Sequence, residues 1–246
     1  KEGYGYTVAT EMYSAGIDRL THQPLSFSVS ETTEGVHIHI IDAELMGKGE
    51  KEKKDLYIEG VQNNGIINHY EYIINSEGTI EIRHVLKPEG KMPLWFPRIG
   101  LTLTVSDALD QVKWYGRGPQ ENYPDRKTAY PMGIYASTVQ AMYEPYLMPQ
   151  DYGLRTDVRW LQLTTDKGIG LQFKMNEWFN FNIYPYSTDN LTKAMYTYQL
   201  QKQKGMTLNL DYATTGVGCT ARGVFGAYKA MPQEYRRTIS IRPMMK

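Results

Sequence analysis

The sequence predicts an all-β protein, a large antiparallel β-sandwich. Three observations carry that expectation. Apolar residues recur with period two in several separate runs, glycine-bearing turn sequences fall between them, and helical periodicity is nearly absent. Twenty tyrosines against six phenylalanines, with 22 glycines and 12 prolines, fit many short strands joined by tight turns.

Taken in chain order, Val36, Ile38 and Ile40 alternate with His37 and His39, and Leu101, Leu103 and Val105 alternate with Thr102, Thr104 and Ser106. Phe179, Phe181 and Ile183 alternate with Asn180 and Asn182, and the pairs Leu208/Leu210 and Ile239/Ile241 repeat the pattern. Each reads as a strand with one buried and one polar face. Thr33-Glu34-Gly35, Ser76-Glu77-Gly78 and Asp166-Lys167-Gly168 read as hairpin connections whose glycine supplies a positive φ. One short helix is expected near 189–198, capped by Thr188 or Asp189, with Leu191, Ala194 and Met195 facing inward. Pro88, Pro93 and Pro97 interrupt strand pairing and mark a weak boundary, yet one large sandwich is as economical as two domains. The Lys-rich run from Glu50 to Asp55 reads as a solvated loop tip.

Composition excludes several classes. Lys plus Arg equals Asp plus Glu at 27 each, which argues against a nucleic-acid footprint or a polybasic tail. No apolar run approaches the roughly 18 residues a spanning helix needs, so no membrane partner is expected. The single cysteine, Cys219, rules out an internal disulfide framework and a Cys-rich zinc site, and reads as a small buried hydrophobe. The chain opens Lys1-Glu2-Gly3, which reads as a piece of something longer.

Glycoside hydrolysis uses two carboxyl groups, about 5 to 5.5 Å apart in retaining enzymes and further apart in inverting ones. The conspicuous pair is Glu121 and Asp125 in Gly116-Arg117-Gly118-Pro119-Gln120-Glu121-Asn122-Tyr123-Pro124-Asp125-Arg126, a proline- and glycine-rich segment that must fold sharply. The reading that fits best is a loop whose carboxylates are held bidentately by Arg126 or Arg117 and which keeps its own shape. A catalytic pair and a surface for docking a partner are the alternatives. His37 and His39, at i and i+2, share a strand face and can start a metal site. With no third ligand at a companion spacing, solvated strand histidines are preferred and no metal or cofactor is expected. Loop aromatics (Trp95, Trp114, Trp160, Trp178, Tyr143, Tyr146, Tyr152) can stack on a sugar ring or anchor a core, and core is favoured for Trp114 and Trp160.

Pro97-Arg98-Ile99-Gly100-Leu101, the GRGPQENYPDR segment at 116–126, Tyr146 to Arg155, and Val158-Arg159-Trp160 closely resemble the C-terminal domain of family 2 β-galactosidases. FNIYPYSTDNLTKAM at 181–195 and Leu208-Asn209-Leu210-Asp211 followed by Gly216-Val217-Gly218 continue the resemblance in order, from about Leu94 to the end. It implies that 1–246 is one β-sandwich of the galactose-mutarotase-like kind, sometimes called a supersandwich, packed beside a (β/α)8 barrel. The implied activity is retaining hydrolysis of terminal β-D-galactosides, with both catalytic glutamates in that barrel and none in this chain. The implied partners are the other domains of the parent enzyme, the galactoside substrate and further copies of the parent. Trp114, Glu121, Asn122, Tyr123, Asp125 and Arg126 then belong to a structural or interface loop. In several members a loop after the Gly-x-Gly brings an aromatic, in others a cysteine, to the sugar pocket. Here Arg222 or Gly223 occupies the matching place, and Arg222 can bind sugar hydroxyls through its planar fork. A loop that only closes a hairpin is the alternative. Two other classes stand beside this reading: a stand-alone carbohydrate-binding module, motivated by the loop aromatics, and a mutarotase, whose acid–base chemistry normally uses His with Glu or Asp.

Overall fold

A computed structural model of the chain describes residues 20–46, 64–218 and 223–245. Its strands are β1 (Thr21–Thr32), β2 (Gly35–Leu45), β3 (Gly65–Ile74), β4 (Ile80–Glu89), β5 (Arg98–Val105), β6 (Gln111–Arg117), β7 (Met132–Thr138), β8 (Arg155–Thr164), β9 (Gly170–Tyr184), β10 (Met206–Thr214) and β11 (Tyr235–Met244). Their pairings are antiparallel, as the sequence predicts. Each run singled out by alternation lies in a strand. The three predicted turn glycines, Gly35, Gly78 and Gly168, have φ of 137°, 74° and 79° and close β1–β2, β3–β4 and β8–β9.

Hydrogen bonding runs β1-β2-β3-β4-β11-β9-β8-β6-β7, with β10 and β5 branching off. The branch point is β9, which is long enough to serve two neighbours on one side. Its first half, Gly170–Met175, pairs with β11, and its second half, Asn180–Tyr184, pairs with β10. The β10–β5 pair therefore folds over the β3-β4-β11 stretch. Ile66, Ile82, Leu86, Tyr235 and Ile239 of one layer pack against Ile99 and Tyr212 of the other. A second core joins Trp114, Leu161, Leu163, Phe173, Phe179 and Phe181 to Leu208 and Leu210. Each such side chain, fully withdrawn from water, stabilises the fold by about 1.5–3 kcal/mol before entropy is counted.

Several elements depart from the sequence expectation. β10 is buried on both faces, so Thr207, Asn209 and Asp211 lie inside and must be hydrogen-bonded there. In β2 the apolar side chains Val36, Ile38 and Ile40 are only half-buried, while His37 is buried, because β2 is second from the sheet edge and both its faces are partly covered. Helix α1 spans Thr188–Lys193 only. Its cap is Ser187, one residue earlier than expected, whose side chain accepts the Asn190 N–H. The chain turns extended at Ala194, so Leu191 and Ala194 are buried as expected but Met195 is exposed. Trp114 is completely buried, whereas Trp160 is half-buried on the outer face beside Tyr115. The reason is a register shift between Val158 and Trp160, after which Leu161 and Leu163 take the core side. Pro88 sits inside β4 opposite Ile66, and Pro93 and Pro97 fall in the connection to β5.

Candidate functional site

Sequence and topology bring four distant segments to one end of the β9–β10–β5 stack: the 116–126 loop, the 146–155 segment, α1 and the residues following β10. Between them lies a cleft of about 540 Å³, lined among others by Arg98, Tyr123, Tyr146, Asp151, Thr188 and Val217.

Behind its lining residues Arg98, Asp151 and Tyr184 lies the buried polar network of β10. The Asn209 amide donates to Asn182 Oδ1 (2.8 Å) and to the Tyr184 hydroxyl (3.0 Å), and its oxygen accepts from Thr102 (2.8 Å). The Asn182 amide donates to Asp151 Oδ1 (2.8 Å) and the Tyr152 carbonyl (3.0 Å). Arg98 crosses this network. Its Nε and Nη2 grip Asp211, at 3.1 Å to Oδ1 and 2.5 Å to Oδ2, Nη2 also donates to Asn182, and Nη1 points to Asp151 at 3.4 Å. Burial disfavours the Arg98 cation, but the Asp211 and Asp151 charges outweigh it and hold the guanidinium charged.

The wall is the 116–126 loop. Glu121 is buried, and its two oxygens are saturated by four donors. Oε1 accepts from Arg126 Nη2 (2.7 Å) and the Tyr146 hydroxyl, and Oε2 from the Gly153 N–H (2.9 Å) and the Tyr123 hydroxyl (3.3 Å). Burial and the Glu121 carboxylate push the Tyr146 hydroxyl up to about 12, so it remains a donor at neutral pH. Asn122 is fully buried, with its oxygen accepting from the Thr156 N–H (3.1 Å) and hydroxyl (2.5 Å). Tyr123 and Arg126 close a tight turn by reciprocal backbone bonds, and the Arg126 guanidinium lies 5.2 Å from the Tyr123 ring centre. Arg155 packs over Trp114 and donates to the Pro119 and Gly153 carbonyls at 2.9 Å; burial pulls it down to about 10, still cationic at neutral pH.

The loop's charges are not arranged as the sequence suggested. Arg126 reaches Glu121 through one nitrogen, not two. Arg117 holds neither loop carboxylate. It pairs with Asp157 at 2.6 Å and donates to the Lys127 and Tyr130 carbonyls, because β6 ends with it facing the β8 bulge at Asp157. Asp125 is bound by backbone: Oδ1 accepts the Val217 N–H (3.0 Å) and Oδ2 the Gly218 N–H (2.6 Å). A side chain at Gly216 would put its Cβ 2.3 Å from the Asp125 carboxyl carbon, so the latch requires glycine there. Asp125 thus fixes the root of the Gly-x-Gly loop against the cleft.

Of the two candidate sugar contacts, Gly223 is exposed with φ of 63° and open space around its Cβ position. Arg222 lies outside the described residues, as do Cys219 and the 50–55 run. Of the aromatics read as loop residues, Trp95 and Tyr152 are buried, while Trp178 lies not in a loop but in β9, where it is exposed and stacked by Arg159 at 3.3 Å. His37 is buried and not solvated, and the β2–β3 register sets Glu71 directly opposite His39. Residue-by-residue reading passed over Arg98, Asp151, Asn182 and Asp211 as site components. The available signal was the pair of polar positions inside each of two strongly apolar runs, Asn180/Asn182 and Asn209/Asp211.

The sequence model of the family described as "Beta galactosidase small chain" matches residues 10–241. This chain belongs to that family. Curated relatives carry the name "Beta-galactosidase". One, from Priestia megaterium, is 37% identical over 147 residues, which make up 60% of this chain and 14% of that protein. Another, from Vibrio cholerae, is 31% identical over 207 residues, 84% of this chain and 18% of that protein. The chain therefore spans under a fifth of these relatives' length. Among solved structures, a GalM/aldose epimerase homologue from C. elegans aligns with 89% of this chain and 69% of its own, at 11% identity and a TM-score of 0.42.

Proposed function

We propose that this chain is one domain of a retaining β-galactosidase acting on terminal, non-reducing β-D-galactosides. In this reading the two catalytic carboxyl groups stand on a (β/α)8 barrel outside the chain, and the β-sandwich forms part of the active-site wall and packs against neighbouring domains and subunits. The observation that carries it is the state of the two conspicuous carboxylates. Glu121 accepts from four internal donors, which fills its lone pairs, and each Asp125 oxygen accepts one backbone N–H, so both carboxylates are engaged in holding loops. A general acid or nucleophile needs a lone pair or proton free to reach substrate. What these groups do instead is present a rigid rim of Tyr123, Tyr146 and Val217 beside a cleft lined with tyrosine and threonine hydroxyls, Arg98 and Asp151, the chemistry that suits a polyhydroxylated ligand. The family relatives named β-galactosidase support the substrate class.

The test uses the full-length gene product and a chromogenic β-galactoside. Turnover is expected, with β-galactose as the first-formed anomer by NMR. Asp125→Asn, which removes one of the two acceptors at the loop root, is expected to raise KM for galactosides with bulky leaving groups more than it lowers kcat. Absence of hydrolysis defeats the reading, as does a thousand-fold loss of kcat in Glu121→Gln at undiminished stability, which would put the chemistry in this chain.

A further inference from the structure

In the β1–β4 part of the sheet, the outer face of β2 and β3 gathers three metal-ligating atoms that no part of the galactosidase reading uses. His37 and His39 share a face of β2, and Glu71 of β3 stands opposite His39. His37 Nδ1 lies 3.3 Å and His39 Nε2 3.9 Å from the same Glu71 oxygen, Oε1, and the three ligand atoms lie within 4.8 Å of one another. With zinc–ligand bonds of about 2.0–2.1 Å, the edge of a tetrahedral site is about 3.3–3.4 Å. One edge already has that length, and the other ligand that must close up, His39, is half exposed and free to move.

The surroundings supply what a ligated site needs from its outer shell. Arg83 Nη1 holds the other Glu71 oxygen, Oε2, at 3.1 Å, which aims Oε1 at the histidines, and Arg83 is itself fixed by Glu81 at 2.8 Å. Thr32 Oγ1 lies 3.0 Å from His37 Nε2 and accepts the Glu34 N–H at 3.1 Å. Without metal, His37 Nδ1–H donates to Glu71 and the Thr32 hydroxyl donates to Nε2. With metal on Nδ1, the proton moves to Nε2 and Thr32 accepts it, its own hydroxyl turning to the Gly35 carbonyl 3.5 Å away. The same side chain thus accommodates both tautomers, and solvent on the His39 side leaves a fourth position for water.

We propose that His37, His39 and Glu71 form a site for a borderline divalent cation of the zinc type, clamping β2 to β3. Two imidazoles and one carboxylate select such ions over magnesium and calcium, which prefer all-oxygen shells.

The experiment is calorimetric titration of chelator-treated full-length protein with zinc chloride in excess magnesium, for the wild type, His39→Gln and Thr32→Val. Because the whole protein can hold other metals, the reading is the difference between variants. Wild type is expected to show one more saturable site than His39→Gln, and Thr32→Val to weaken that site about 10–100-fold, the usual effect of losing an outer-shell partner. Zinc should also raise the Tm of the wild type more than that of His39→Gln, a readout independent of activity. His39 is exposed, so its replacement leaves the metal-free Tm unchanged and loss of binding cannot be laid to misfolding. Equal zinc binding by wild type and His39→Gln, or no binding by either, overturns the proposal.

Discussion

Acidification should weaken this fold through one buried histidine. His84 lies between the two layers with its ring stacked on Tyr70 at 4.1 Å. Its Nε2–H donates to Asn68 Oδ1 (3.0 Å), and Nδ1 accepts from the Tyr212 hydroxyl (2.7 Å). Both partners suit the neutral ring. Burial, helped by the charge of His69, brings His84 from the ordinary 6.5 down to about 4. The unfolded chain therefore binds a proton near pH 6.5 that the folded chain refuses until about pH 4, so stability present at neutral pH is lost as pH falls through that window. At about 1.4 kcal/mol per tenfold change in proton affinity, the loss is about 3 kcal/mol. Urea unfolding at pH 7, 5.5 and 4.5 of the wild type and His84→Gln measures it. The variant is less stable at pH 7, and the gap should shrink by most of that amount toward pH 4.5, since all other titrating groups cancel. A gap independent of pH would refute the reasoning, and an imidazole titrating near 6.5 by NMR would do the same.

Glu121→Gln leaves four donors around an amide and is expected to cost about 1–3 kcal/mol in chemical unfolding; an unchanged midpoint would contradict the saturation described above. Gly216→Ala drives a methyl into the Asp125 carboxyl, so it should release the 217–218 amides, seen as faster hydrogen exchange at those two positions with the rest of the sheet unaffected. Leu208→Ala empties a fully buried position between β9 and β5 and should cost about 2–5 kcal/mol by denaturant titration.

What could be read in advance was local. Period-two patterning located the strands, and Gly35, Gly78 and Gly168 marked their hairpins, because both signals are written in neighbouring residues. Topology could not be read: that β9 serves two partners on one side depends on pairings with strands tens of positions away, and that β11 sits beside β4 on pairings across more than a hundred. The same distance hid the site. The resemblance delivered the motifs as separate segments, but only the fold sets Arg98 against Asp211 and Asp125 against Val217, and only the β2–β3 register supplies Glu71 to the two histidines. Arg117 was misassigned because loop composition shows which charges are near in sequence, not which way a strand end points.

The position of β11 has a consequence for how the polypeptide is made. Strands β1 to β4 leave the ribosome before the rest of this sheet, and the neighbour that covers β4 follows after roughly 150 further residues. At about 5–20 residues per second, the β4 edge waits about 7–30 seconds for its partner. A stop codon between β4 and Tyr235 would leave that edge bare and prone to self-association, so such a truncation should yield aggregate, with β1 to β4 lacking their cover.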